Sequence, residues 1–237
     1  MCGRFTLRTP SAEWCQLLLP QMDCTQFSFD EPPRYNIAPT QSIVCIIRES
    51  TDRSRTPIKA RWGLVPSWAK DLAIGTRMIN ARCETVDCKP SFRKAFASRR
   101  CLIPTDGYYE WKKLADGKQP FLIQRNDGGL LAMAGLWEEN SRIAEDGTPV
   151  RTCTIITTDA NQMTSAIHDR MPVFLSQRDH EQWLDPGYRE TEKLKALLAP
   201  APEELLQVTP VSRHVNSPKN DDEQCVTAVN LDWRSEL

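Results

Sequence analysis

The chain has 237 residues, 40% of them hydrophobic, which is enough to bury one sizeable core. With 30 Lys+Arg against 31 Asp+Glu the formal net charge is −1, so bulk charge gives no grip on a polyanion and any such binding must come from local asymmetry. No apolar run reaches the roughly 18 residues needed to span a bilayer and no apolar leader opens the chain, so the expectation is a cytoplasmic, membrane-free monomer.

In chain order, SAEWCQLLLPQM predicts a helix begun by Ser11 and stopped near Pro20. A proline-rich turn, EPPRYNIAPTQ, precedes the β-like run SIVCIIRE, and IKARWGLVP predicts a strand ending at Pro66. SFRKAFASRR predicts a short basic helix, within a stretch from Lys89 to Lys113 that holds seven basic residues against two acidic ones. CLIPTDGYYEW reads as extended. QPFLIQ and LLAMAGLW flank Asn126-Asp127-Gly128-Gly129, a hairpin signal because these residues tolerate positive φ. TCTIITT predicts a strand running into the helix DANQMTSAIH, with Asp159 and Gln162 as a capping box; Ser176 and Asp179 repeat that arrangement before HEQWL. YRETEKLKALLA is helical by composition, PVSRHVNSPKNDDE is polar punctuation and CVTAVNL predicts a last strand. Strands and helices do not alternate, which predicts a single α+β domain over 1–237 with a curved, largely antiparallel, barrel-like β core and peripheral helices.

The nine cysteines are scattered with no C-x-x-C pair, arguing against both a disulfide framework and a zinc ribbon, and most are expected to be reduced and buried. With three histidines in the chain, no metal and no cofactor is expected.

Cys2 follows the initiator Met1. Methionine excision is favoured before a small residue, and would leave Cys2 with a free amine near its reference pKa of about 7.7–8.0 beside a thiol near 8.5. Such a 1,2-aminothiol condenses with an aldehyde to an imine, and the thiolate then closes on the same carbon to give a thiazolidine. Three polar stretches offer partners. In MINARCET, Asn80, Arg82 and Glu84 occupy alternate positions and share a face if extended; in DGYYEW, Glu110 sits among Tyr108, Tyr109 and Trp111, an apolar setting that raises a carboxyl pKa; in IHDRMP, His168 precedes Arg170. Each has a structural alternative: a satisfied core histidine, a surface carboxylate, and salt-bridge roles for Arg82 and Arg170.

CGRF, RYNIAPTQ, WGLVPSWA, INARCET, GYYEW, IHDRMP and PVSRHVNSPKN occur in this order, and the chain from Cys2 to about Asn220 resembles the SRAP (SOS-response-associated peptidase) family. The resemblance implies a barrel-like α+β fold with a positively charged groove, and a protein that senses abasic sites in single-stranded DNA and crosslinks itself to them through Cys2, associating with the nucleoid when bound to DNA. It implies that Cys2 is the nucleophile, that Asn80 holds the terminus and the sugar, that Glu110 positions the reactive centre, removes the preceding residue and reverses the crosslink, and that His168 donates a proton to the sugar ring oxygen. It further implies phosphate contacts for Arg4, Arg82 and Arg170, wedging and stacking by Pro39 and Trp68, a hydrogen-bonding role for Thr157, and weak lyase activity from the imine. Two other classes share part of the pattern: an N-terminal-nucleophile amidohydrolase or amidotransferase, in which a terminal cysteine attacks an amide, and a noncatalytic single-strand DNA binder using only the arginines and Trp68.

Overall fold

The computed structural model describes residues 2–24, 29, 31–49, 54–115, 117–144 and 147–231. Among the described residues twelve strands form two sheets. The first is a closed barrel built from β3 (Ser42–Arg48), β4 (Arg55–Trp62), β6 (Arg100–Thr105), β9 (Leu131–Asn140) and β10 (Val150–Asp159). Antiparallel pairings run from β4 to β3, β6, β9 and β10, and the ring closes through the one parallel pair, Thr152 with Arg61 and Cys153 with Trp62. β4 shows the physical basis: Ile58, Ala60 and Trp62 are buried while Lys59 is exposed and Arg61 half-buried between them, the period of two that a sheet with one buried face demands. β6 is buried along its whole length and β9 nearly so, because helices α2 (Arg93–Ser98) and α4 (His180–Leu184) cover them.

The second sheet is antiparallel, in the order β12 (Leu206–Pro210), β8 (Gly117–Arg125), β7 (Gly107–Leu114), β1 (Phe5–Leu7), β2 (Arg34–Ile37). The chain passes from barrel to sheet between Thr105 and Gly107. Asp106 fixes that corner by accepting from the backbone N–H groups of Arg8 and Thr9 and from the Thr9 hydroxyl. Gly107 is required there, since a Cβ would meet the Ile123 carbonyl oxygen at 2.7 Å. Phe5 packs edge-on against Trp62 at 5.3 Å between ring centroids, joining β1 to the barrel core. Two short strands extend β10 beyond the ring: β5 (Asn80–Arg82) runs parallel to it, Ile155 opposite Asn80 and Thr157 opposite Arg82, and β11 (Arg170–Pro172) runs antiparallel.

Several sequence expectations are corrected. The Asn126–Gly129 turn exists, but β8 and β9 on either side join different sheets, so it is a crossing and not a hairpin; the hairpin is β7–β8, with Leu114 opposite Gly117. Helix α1 (Ser11–Leu18) is capped from Pro10, without a side-chain bond from Ser11. Helix α3 (Gln162–Ser165) is capped by Asn161, whose side chain accepts from Thr164 N–H, while Asp159 stays in β10. Ser176 opens a 3₁₀ turn ahead of α4, its hydroxyl turned onto Asp179. Helix α5 spans Thr191–Ala196. CVTAVNL makes only an isolated bridge, Val211 with Ala228. Cys15 and Cys24 are disulfide-bonded, whereas the other seven cysteines are free, five of them buried. Among the described residues no helix is long and apolar enough to cross a membrane.

Candidate active site at the amino terminus

Strand β1 brings the start of the chain into the interior. Phe5 pairs with Tyr108 on β7, and Tyr109 N–H donates to the Arg4 carbonyl at 2.9 Å, so Cys2 lies beside β7 where that strand presents Glu110. Cys2 is fully buried. Burial pushes its thiol pKa up, and the neighbouring Glu110 carboxylate adds to that. From the barrel side, Asn80 at the start of β5 donates its Nδ2 to the Cys2 carbonyl at 2.8 Å, and its Oδ1 is buried without a hydrogen-bond partner.

Glu110 is 4% exposed, and burial raises its carboxyl pKa to about 7. The cover does not come from its sequence neighbours. Alternation along β7 sends Tyr109 and Trp111 to the opposite face, where they pack with Val211, Val215 and Cys225. Glu110 shares its face with Tyr108, the one of its three aromatic sequence neighbours that does shield it. Tyr108 is fully buried, and its hydroxyl pKa is raised first by burial and then by the charges of Glu110 and Cys2. The parity of positions 108 and 110 is what separates it from Tyr109 and Trp111.

His168 lies in the loop between α3 and β11, where its neighbour Asp169 is close enough for its charge to act on the Glu110 carboxyl. Its Nδ1 accepts from Arg170 N–H at 2.9 Å, which places the proton of the neutral ring on Nε2. Asp169 Oδ1 also lies 2.8 Å from Nδ1, a contact that strengthens only when the ring is protonated. Burial holds the imidazole pKa below its usual range, so the neutral form prevails at neutral pH.

The arginines divide. Arg170 is buried and consumed by the protein itself: it holds both Glu84 carboxylate oxygens at 2.6 and 3.0 Å, Asp159 at 2.5 Å and the Thr157 carbonyl at 2.8 Å. Glu84 therefore leaves the face it was expected to share with Asn80 and Arg82, because β5 ends at Arg82. Arg4 donates to Asn36 Oδ1, Val215 O and Asn216 O and lies over the Trp111 ring. Arg82 is exposed. Thr157 is buried opposite Arg82. Trp68 is 50% exposed in the segment after β4. Pro39 sits part-exposed in a turn where Thr40 adopts φ 72°. Sequence reasoning missed Asn36, buried, whose amide donates to the carbonyls of Val215, Ser217 and Asn220 and ties that loop beneath Arg4.

A family model described as SOS response associated peptidase (SRAP) matches residues 1–218. The chain belongs to the SRAP family. It is 42% identical over 233 residues to the abasic site processing protein YoaM of Bacillus subtilis, covering 97% of this chain and 99% of the relative. Against the abasic site processing protein YedK of Escherichia coli K12 identity is 30%, covering 97% and 100%. Against HMCES of Gallus gallus, also an abasic site processing protein, it is 33%, covering 84% and 67%. A crystal structure of a Bacteroides thetaiotaomicron protein superposes with a TM-score of 0.81 at 27% identity, covering 97% of this chain and all of that one. The SRAP fold is thus the frame that carries Cys2, Asn80, Glu110 and His168.

Proposed function

We propose that this SRAP protein recognises abasic sites in single-stranded DNA and captures them covalently through Cys2. The observation that carries the reading is the convergence of Asn80 and Glu110 on a buried residue 2, a costly arrangement for a terminus with no task. The names of the curated relatives supply the substrate class.

The chemistry needs Met1 removed. The Cys2 amine then adds to the C1′ aldehyde of the open deoxyribose and water leaves, forming an imine. The thiol adds to the imine carbon, its proton passing to a base, and the thiazolidine closes. A thiol held protonated by burial needs such a base nearby, and a carboxyl with a pKa of about 7 exchanges protons readily at neutral pH. The same carboxyl is suited to releasing the preceding residue and to reopening the ring. His168, neutral with Nε2–H available by tautomer, suits donation toward the sugar ring oxygen. Asn80 fixes the nucleophile's backbone, and its unpaired Oδ1 is an acceptor for the new amine or a sugar hydroxyl. Arg82 is the phosphate contact of the three arginines, while Arg4 and Arg170 shape the site through protein contacts. Trp68 provides a stacking face for an unstacked base.

Incubation with an abasic oligonucleotide, followed by a denaturing gel and intact mass measurement, tests the reading. A resistant adduct lacking Met1 and one water is expected from the wild type, and none that survives from Cys2→Ala. Equal adduct yield from the two proteins overturns it.

A further inference from the structure

A mixed group of histidine, carboxylate and thiol side chains converges outside the amino-terminal site. His214, Asp222 and Cys225 bring one ligand atom each to within 4.8 Å of one another. Two 3₁₀ turns, Arg213–Asn216 and Glu223–Val226, deliver them. We propose that these three residues bind a zinc-type divalent cation.

The chemistry of the set is specific. An imidazole, a carboxylate and a thiolate are the three donor types of four-coordinate zinc sites, and three protein ligands leave one position for water. Around such an ion, donors at about 2.0–2.3 Å lie roughly 3.3–3.6 Å from each other; His214 Nε2 and Asp222 Oδ2 stand 3.0 Å apart, so a small outward shift admits the ion. Asp222 is prepared for it. Its Oδ1 caps the second turn by accepting from Gln224 N–H at 2.9 Å, which leaves Oδ2 aimed at the histidine. Cys225 is buried, with its Sγ 3.4 Å from the Asn220 carbonyl. Binding releases the Cys225 thiol proton to solvent, and a dication with one carboxylate and one thiolate leaves no net charge. Ligation through Nε2 places the His214 ring proton on Nδ1.

An ion here would clamp the segment whose carbonyls hold the amino-terminal strand. Arg4 donates to Val215 O and Asn216 O, and Asn36 to Val215 O, Ser217 O and Asn220 O. Metal binding to the folded chain alone therefore raises its stability by mass action.

Cobalt(II) titration of the full chain carrying Cys88→Ser, which removes the exposed competing thiol, tests the site. Expected are four-coordinate visible bands with a thiolate charge-transfer band, displaced by zinc, and a zinc-dependent rise in Tm. Cys225→Ser should abolish the charge-transfer band, and His214→Ala and Asp222→Asn should each weaken cobalt binding at least tenfold and remove the zinc-dependent Tm rise. The latter two positions are partly exposed and keep the test decisive if Cys225→Ser misfolds. No charge-transfer band in the Cys88→Ser protein, or one unchanged in the His214 and Asp222 variants, overturns the proposal.

Discussion

Glu110 carries a cost that its proposed task explains. In the folded chain its carboxyl titrates near 7 instead of 4.5 because it is buried. Between those values the folded state keeps a proton that the unfolded chain has lost, so stability falls as pH rises through the window and is lowest above it. The full difference corresponds to about 3 kcal/mol, an upper bound for one buried carboxyl. Glu110→Gln removes the titration, and denaturant unfolding at pH 8 should show the variant more stable than wild type by about 1–3 kcal/mol, the gap closing near pH 4.5. The same variant should form the DNA adduct slowly. Asn80→Ala makes a contrasting pair: it loses one hydrogen bond, so denaturant unfolding should show a loss of only about 1 kcal/mol, yet it frees the backbone of the nucleophile, and gel time courses should show adduct formation slowed about tenfold. Both roles rest on contacts between residues about 80 to 110 positions from the terminus, which no local pattern in the chain announces.

At the scale of elements, the site depends on how β4 hands over to β5. Gly63 and Gly75 cross with their backbones in contact: a Cβ on Gly75 would meet the Gly63 carbonyl oxygen at 2.5 Å. That crossing holds the 3₁₀ turn Leu72–Arg77, and Leu64 N–H to Met78 O at 3.1 Å continues it toward Asn80. Gly75→Ala should cost roughly 2–3 kcal/mol by overpacking and impair adduct formation at temperatures where the variant is folded, as thermal unfolding and a parallel crosslinking assay would show. The individual strands were legible in the sequence because their alternation or burial is a local property, as in SIVCIIR and TCTIITT. The pairings were not. β5 has three residues and is a strand only because β10 lies beside it, and the Asn126–Gly129 turn carries hairpin chemistry while its flanks go to separate sheets. Glu110 was legible as a candidate, but for an incomplete reason, since two of the aromatic residues thought to shield it face the other way.

For the whole molecule, a net charge of −1 leaves DNA attraction to a few placed cations. The fold narrows them further, because Arg170 is neutralised by Glu84 and Asp159 and Arg4 is held by Asn36 and two carbonyls. Noncovalent affinity for intact single strands should accordingly be modest, with a shallow salt dependence, each phosphate contact adding about 0.7 to the slope of log K against log salt. Arg82→Ala should lower that slope by about that amount, measured by fluorescence anisotropy across a salt series, and weaken intact and abasic strands alike. Arg170→Lys should leave the slope unchanged and instead cost about 2 kcal/mol in unfolding experiments, since a lysine cannot span two carboxylates and the Thr157 carbonyl. A slope that falls with Arg170→Lys and not with Arg82→Ala would reverse this division of labour. Under the proposed capture by Cys2, salt should no longer release the strand once the thiazolidine has formed, so the ratio of adduct to free DNA after a high-salt wash separates weak electrostatic recognition from the proposed covalent step.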